Sequence, residues 1–297
     1  MRTTVVLLAL AAGPALALPV HAQTTEHTAY VSVLDKSGKP VGDLDVADFV
    51  VTEDGRRREV LRAGRTSDPV DLAVIVDNSF AAEPHILDLR KALTDFLAKM
   101  ADQQATVAII GMADRPTVLV DYTSSLADLK KGVDRIFAQP GSGMVFQDTV
   151  AQTVQGLAKR DNPRRAVLVV TGEGTDFSNT PYQRTLERLR TSGVAFHVVR
   201  LTSRRGDAIR DNNARDRALV IDEGPKVSGG RTQDVLSSMG YGDALTRLAE
   251  DLGNTYKVVF ARPGGLVPPK DFDISVTRDG VSARGTLVRP AATGATR

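Results

Sequence analysis

Polar side chains that can bind a ligand stand where two hydrophobic runs of the sequence end. Asp77, Asn78 and Ser79 follow the run at 72–76, and residues 171–173, Thr-Gly-Glu, end a second run. Continuous apolar runs of this kind are typical of strands buried on both faces of a parallel sheet. Ligands of open α/β sheets bind at the carboxyl ends of the strands. We therefore expect both groups to lie at one ligand-facing edge of a sheet.

Ser79 also stands where a serine hydrolase would carry its nucleophile, directly after a buried strand. The surrounding sequence, DNSFA, lacks the two glycines of a Gly-x-Ser-x-Gly turn. The nearest candidate base is His85, whereas His197 lies within VAFHVVR, where a histidine of the core is expected. We predict that the chain is not an enzyme, and a Ser79-dependent hydrolase is the alternative.

Strands and helices alternate through the middle of the chain, residues 67–253. Buried strands are predicted at 72–76, 105–112, 165–172 and 194–201, with a further strand at 230–237. Helical spacing is found at 86–100, 125–139, 148–159, 182–193 and 243–253. This order predicts a doubly wound, mostly parallel, Rossmann-like α/β domain. Residues 202–229 are charged and contain little apolar sequence, so we predict a mobile loop there.

Segments at both ends of this domain have the period-two alternation of β-strands. They span residues 23–66 and 254–290, and Asp279 with Gly280 is predicted to form a hairpin turn. Neither segment alone has enough strands to bury a stable face. We therefore predict that the two segments pair into one small β-sandwich, with residues 291–297 as a tail.

The N-terminus has the features of an export signal. Residues 1–22 contain one early cation, Arg2, an apolar run, and small residues before the predicted cleavage after Ala22. The run is broken by Gly13 and Pro14, which disfavours a retained membrane anchor. The chain has no cysteine for lipid attachment, and no later stretch is apolar enough to span a membrane. A periplasmic or secreted protein is expected, and the formal net charge of only +2 disfavours a nucleic-acid partner.

The sequence resembles the von Willebrand factor A domain family, in which a hydrophobic strand ends in Asp-x-Ser-x-Ser. More narrowly, it resembles exported bacterial proteins of this family, which open near DFxVxEDG and close with a helix followed by strands. Here the corresponding sequences are DFVVTEDG at 48–55 and LTRLAEDLGNTYKVVF at 245–260. The resemblance covers nearly all of the chain after residue 22 and implies a protein-binding, adhesion-type module.

The resemblance also implies a metal site, because the family holds a magnesium-like ion with hydroxyl and carboxylate oxygens. Asp77 and Ser79 match its first two ligands, but Ala81, Met144 and Gly172 stand at the other three positions. We expect the remaining pair to be vestigial, with no cofactor or only weak Mg²⁺ binding. Alternatively, nearby side chains replace the lost ligands; the candidates are Ser142, Asp148, Glu173 and Asp176.

An unknown protein partner is expected to contact the loops at the carboxyl edge. The predicted contact residues are Asp77, Asn78, Ser79, Phe80, Ser142, Met144, Phe146, Glu173 and Asp176. The apolar loop residues Phe80, Met144, Val145, Phe146 and Phe177 either form an exposed contact or are buried under the loops. The alternative is a structural or accessory envelope protein that uses the β-sandwich or a basic loop at 204–217.

Overall fold

The computed structural model describes residues 24–202, 212–264 and 266–291. The predicted signal peptide, residues 203–211 of the predicted loop and all but the first residue of the predicted tail lie outside these ranges. The strands are β1 (Thr24–Asp35), β2 (Phe49–Glu53), β3 (Arg56–Arg58), β4 (Val60–Arg65), β5 (Asp71–Val76), β6 (Thr106–Gly111), β7 (Thr117–Thr123), β8 (Arg165–Thr171), β9 (Val194–Leu201), β10 (Thr232–Val235), β11 (Tyr256–Pro263), β12 (Phe272–Val276) and β13 (Val281–Leu287). The α-helices are α1 (Ile86–Asp102), α2 (Leu126–Asp134), α3 (Phe146–Leu157), α4 (Tyr182–Ser192), α5 (Asn212–Ser228) and α6 (Tyr241–Gly253).

A six-stranded sheet forms the centre of the α/β domain, in the order β10-β9-β8-β5-β6-β7. The strands are parallel except for β7, which pairs with β6 in the antiparallel direction. Helices α1, α2 and α6 cover one face, and α3, α4 and α5 cover the other. Every residue of β5 and β8 is buried, which explains their continuous apolar sequences. The predicted α/β fold is confirmed.

The prediction of a loop over 202–229 is wrong for residues 212–228, which form α5. The helix is mostly polar because few of its side chains enter the core; Val220 and Ile221 are among those that do. At Gly224 an added Cβ would lie 2.9 Å from a side-chain carbon of Leu189 and of Phe196. Close packing against α4 and β9 therefore stabilises a helix whose own sequence has weak amphipathic character.

The terminal segments pair into a β-sandwich, as predicted. One sheet has the order β13-β1-β11-β4 and the other β12-β2-β3, with a shared apolar core between them. Asp54 and Gly55 have φ values of 47° and 74°, which forms the tight turn between β2 and β3. The hairpin predicted at Asp279–Gly280 is wrong, because β12 and β13 belong to different sheets. The turn instead carries the chain from one sheet to the other.

The β-sandwich covers the amino ends of the central strands. A Cβ at Gly229, just before β10, would lie 2.3 Å from the carbonyl oxygen of Gly285 in β13. Arg165 at the start of β8 donates to the carbonyl oxygen of Arg289 over 2.6 Å. Because these contacts lie at the amino ends, the sandwich leaves the opposite, carboxyl edge of the sheet uncovered.

Buried polar groups fill the interface between the two domains. Arg231 lies 3.4 Å from the carboxylate of Asp251, and Ser32 of the sandwich donates to the same carboxylate. His197 in β9 is buried close by. Burial, and secondarily the charge of Arg231, lowers its pKa from 6.5 to about 3. His197 is therefore a neutral core histidine at physiological pH. In the described part of the chain, no helix is long and apolar enough to cross a membrane.

Candidate functional site

The turn after β5 places two polar atoms without partners at the carboxyl edge of the sheet. Asp77 and Ser79 are only 3% and 2% exposed. The backbone N–H of Ser79 donates to Asp77 Oδ1 over 3.0 Å. Asp77 Oδ2 and Ser79 Oγ, by contrast, have no hydrogen-bond partner among the described residues. Leaving such a group unsatisfied costs about 1–3 kcal/mol.

Asn78, between these two residues, braces the turn. Its Oδ1 accepts a hydrogen bond from the backbone of Ala113 over 3.1 Å, and its carbonyl oxygen accepts one from Gln139 over 3.0 Å. A Cβ at Gly111 would lie 2.7 Å from Asn78 Oδ1, so only glycine fits at the end of β6. The side chain of Asn78 is buried and tied to the fold, which argues against its predicted role in partner contact.

Asp176 occupies the second acidic position of this edge and is saturated with hydrogen bonds. Its carboxylate accepts from the backbone N–H groups of Phe146, Gln147 and Ser178 and from the hydroxyl of Ser178. Two of these donors are the first residues of α3, so the carboxylate caps that helix. Burial raises the pKa of Asp176 despite these hydrogen bonds. The prediction that this buried residue contacts a partner is therefore wrong.

Asp148 fixes the far side of the same loop. Its carboxylate accepts hydrogen bonds from the backbone of Asn179 and from the backbone and hydroxyl of Thr180. Asp148 and Asp176 together tie the start of α3 to the segment that leads into α4. These two of the four predicted substitutes for lost metal ligands are thus already engaged with protein groups.

Met144 and Phe146, two predicted contact residues, are buried under the loops. Their exposed fractions are 1% and 0%. The Met144 sulfur accepts a hydrogen bond from the Thr171 hydroxyl over 3.9 Å, and a Cβ at Gly174 would lie 2.7 Å from its methyl carbon. Val145 is buried as well. These three side chains complete the core beneath the edge, so the interpretation that they form a surface contact is wrong.

Two aromatic residues do remain exposed and flank the same turn. Phe80 and Phe177 are 56% and 60% exposed. The backbone of Phe80 donates to the carbonyl oxygen of Ser142 over 3.4 Å. A Cβ at Gly143 would lie 2.3 Å from a ring carbon of Phe177. We call this surface, formed by Phe80, Ser142, Gly143 and Phe177, the aromatic patch.

Arg217 of α5 is a component of the edge that the sequence did not reveal. Its guanidinium donates to the carbonyl oxygens of Gly172 and Gly174 and to the hydroxyl of Thr171. It also lies 5.6 Å from the ring centroid of Phe146. A buried cation therefore holds the loop after β8. No spacing rule predicts this contact from a charged segment.

The residues at the family's ligand positions do not fit a magnesium ion. Mg²⁺ requires near-octahedral coordination by oxygen. Ala81 offers a methyl group, Met144 a buried thioether, and Gly172 a carbonyl oxygen that already accepts from Arg217. Asp77 and Ser79 alone keep suitable side chains. Across the described ranges, no group of three or more His, Asp or Glu side chains could hold a metal ion.

A pocket of about 530 Å³ opens beside Asp77. Its lining residues are Asp77, Ala81, Ala82, His85, Leu89, Val170, Gly172, Glu173, Leu201, Thr202, Leu236, Ser237, Ser238 and Tyr241. Burial, with the charges of Asp77 and Asp88, raises the pKa of Tyr241. Ser79 is not among the described lining residues and makes no hydrogen bond to His85, so these two residues do not form a nucleophile–base pair in the described part of the chain.

Comparison with known proteins finds one family model and several solved structures that are similar to parts of the chain. Residues 72–175 match the family model of the von Willebrand factor type A domain. A von Willebrand factor type A structure from Catenulispora acidiphila is 12% identical, with 93% of this chain and 65% of that chain covered and a TM-score of 0.49. The conserved hypothetical protein BatB from Bacteroides thetaiotaomicron is 13% identical, with 62% and 98% covered and a TM-score of 0.46. No curated protein matches the sequence.

Proposed function

We propose that the chain is a non-enzymatic protein-binding module acting at the carboxyl edge of the sheet, because residues 72–175 match the family model of the von Willebrand factor type A domain. The observation that carries this proposal is the exposed aromatic patch at this edge. Phe80, after β5, and Phe177, after β8, are both more than half exposed. Exposed aromatic side chains of this kind are favoured as anchors of protein interfaces.

The binding is proposed to be independent of a divalent ion. In the resembling family, the metal supplies the positive charge that a partner's carboxylate contacts. Here three of its five ligand positions hold Ala81, Met144 and Gly172. The aromatic patch supplies a contact that needs no metal, because its affinity comes from burial of apolar surface.

Export is the remaining element of the proposal and is supported by the sequence of residues 1–22. An early cation, an apolar run and small residues before Ala22 are typical of a cleaved signal peptide. The module is therefore proposed to act in the periplasm or outside the cell. N-terminal sequencing of the protein recovered from its host tests this point, and an intact Met1 would contradict it.

Photo-crosslinking tests the proposed contact surface. A benzoylphenylalanine at position 80 is expected to capture a protein partner from envelope extract of the native host, with or without a chelator. The same group at Val267, an exposed position in the β-sandwich domain, is the matched control. Capture only from position 267 would instead support an accessory protein that binds through its sandwich.

Paired substitutions measure how much the patch contributes. Phe80→Ser with Phe177→Ser is expected to abolish capture, whereas Leu61→Ser with Val267→Ser leaves it unchanged. All four side chains are exposed, so folding is retained and circular dichroism confirms it. Unchanged capture by the double phenylalanine variant would contradict the proposed function.

A further inference from the structure

Asp77 is a buried carboxylate that uses only half of its hydrogen-bonding capacity within the fold. Oδ1 accepts from Ser79, and Oδ2 has no partner among the described residues, although the side chain lines the pocket of about 530 Å³. We propose that this pocket binds an alkylammonium group, with its nitrogen beside the Asp77 carboxylate and its methylenes along the apolar wall. This inference rests on the proposed function, since it names the group that a partner would insert at the edge.

The charge of the pocket selects a cation. Asp77 lines it, and its described lining contains no lysine or arginine. A metal ion would need further oxygen ligands, which Ala81 and Met144 do not supply. An alkylammonium ion needs only one strong acceptor and water or hydroxyl groups around its other two N–H bonds.

The hydrogen bond at Oδ1 selects an ammonium over a guanidinium group. A guanidinium binds a carboxylate best through two parallel hydrogen bonds, one to each oxygen. Here the backbone of Ser79 already occupies Oδ1. One free oxygen suits the point charge of an ammonium ion.

The shape of the pocket selects an alkyl chain behind the charge. Its wall includes Ala82, Leu89, Val170, Leu201 and Leu236, and its volume falls within the range of small-ligand sites. The four methylenes of a lysine side chain, or of a free alkylamine, can lie along such a wall while the nitrogen reaches a carboxylate.

Calorimetric or NMR titration tests the inference with two ammonium probes, N-acetyl-lysine N-methylamide and pentylammonium. The matched neutral probe is N-acetyl-norleucine N-methylamide, which has the same carbon chain without the charge. We expect at least one ammonium probe to bind, and the norleucine probe to bind about tenfold more weakly or worse. Binding of the capped lysine identifies a polypeptide side chain as the source, and binding of pentylammonium alone identifies a free amine; both outcomes support the pocket chemistry.

Variants link this binding to the pocket. Asp77→Asn, which keeps the side-chain shape, and Ala81→Phe, which fills the pocket without changing its charge, are each expected to weaken ammonium binding about tenfold. Asp134→Asn, at an exposed carboxylate, is the control and leaves binding unchanged. Equal binding of lysine and norleucine probes, absence of ammonium binding, or full binding by folded Asp77→Asn would overturn the inference.

The outcomes also separate this inference from the proposed function. If the aromatic patch is needed for partner capture but no ammonium binds, the proposed function is supported and the ammonium pocket is contradicted. If the ammonium binds but capture does not depend on Phe80 and Phe177, the ammonium pocket is supported and the proposed contact surface is contradicted.

Discussion

Two buried aspartates at the same edge of the sheet have opposite surroundings. Asp176 accepts four hydrogen bonds, three of them from backbone N–H groups. Asp77 accepts one from Ser79 and leaves its second oxygen unpartnered beside a pocket. Both side chains are 3% exposed or less. The comparison separates a carboxylate that builds the loop from one whose second oxygen receives no hydrogen bond from the described residues.

The largest expected effect is on stability, at Asp176. Asp176→Ala leaves three backbone donors and one hydroxyl near the start of α3 without their acceptor. We expect the free energy of unfolding to fall by about 3 kcal/mol, measured by urea denaturation. The exposed Asp161→Ala is the control, with a change within about 0.5 kcal/mol. An equally small change for Asp176→Ala would contradict the claim that this carboxylate stabilises the start of α3.

Arg217, like Asp176, is a buried charged residue whose hydrogen bonds hold a loop at this edge, here the loop after β8. Arg217→Met keeps a long side chain but removes the donors to Thr171, Gly172 and Gly174. Unfolding free energy should fall by about 2–3 kcal/mol, because buried acceptors lose their partners. Arg215→Met, at an exposed position of the same helix, is the matched control. Equal stability of the two variants would show that Arg217 does not hold the loop.

His197 is a buried group with an unpartnered atom that lies away from the carboxyl edge. Its Nδ1 also lacks a described partner, but it lies mid-strand beneath the sandwich. The pKa of His197 is about 3 in the folded protein and 6.5 in the unfolded chain. Its contribution to the free energy of unfolding is therefore present above pH 6.5 and is lost as the pH falls toward 3. Between pH 7 and pH 5, protonation of His197 in the unfolded chain should lower the free energy of unfolding of the native protein by about 2 kcal/mol.

His197→Gln removes that titration, so its unfolding free energy should depend less on pH over the same interval. Urea denaturation at pH 7, 6 and 5 gives the two slopes. Parallel slopes for the native protein and the variant would show that His197 does not stay neutral in the fold.

The smallest expected effect on stability is at Asp77. Asp77→Asn removes a buried charge that the fold itself does not satisfy, so the unfolding free energy should stay within about 1 kcal/mol of the native value or rise. The same urea series measures it. A loss as large as that of Asp176→Ala would mean that Asp77, too, builds the loop, and the contrast between them would disappear.

Most of the fold follows from the sequence because the central strands are buried on both faces. The runs at β5, β6, β8 and β9 can be recognised without knowledge of their neighbours. Edge strand β7 was missed because its burial alternates irregularly, and α5 because only part of it enters the core. Both elements depend on tertiary packing that local sequence does not encode.

The site was predictable in position but less so in detail. The strand-end pattern placed Asp77 and Ser79 correctly at the carboxyl edge. Burial of Met144 and the bonding of Asp176 depend on how loops distant in sequence pack together. Arg217 reaches Gly172 across 45 residues, and such a pairing leaves no mark in spacing or periodicity.

Calorimetric titration of the protein with Mg²⁺ and Mn²⁺ tests the central claim most directly, that Asp77 and Ser79 do not hold a divalent metal ion. The account predicts no binding tighter than millimolar, and heats that are the same for the native protein and for Asp77→Asn with Ser79→Ala. A micromolar dissociation constant that is lost in the double variant would contradict it.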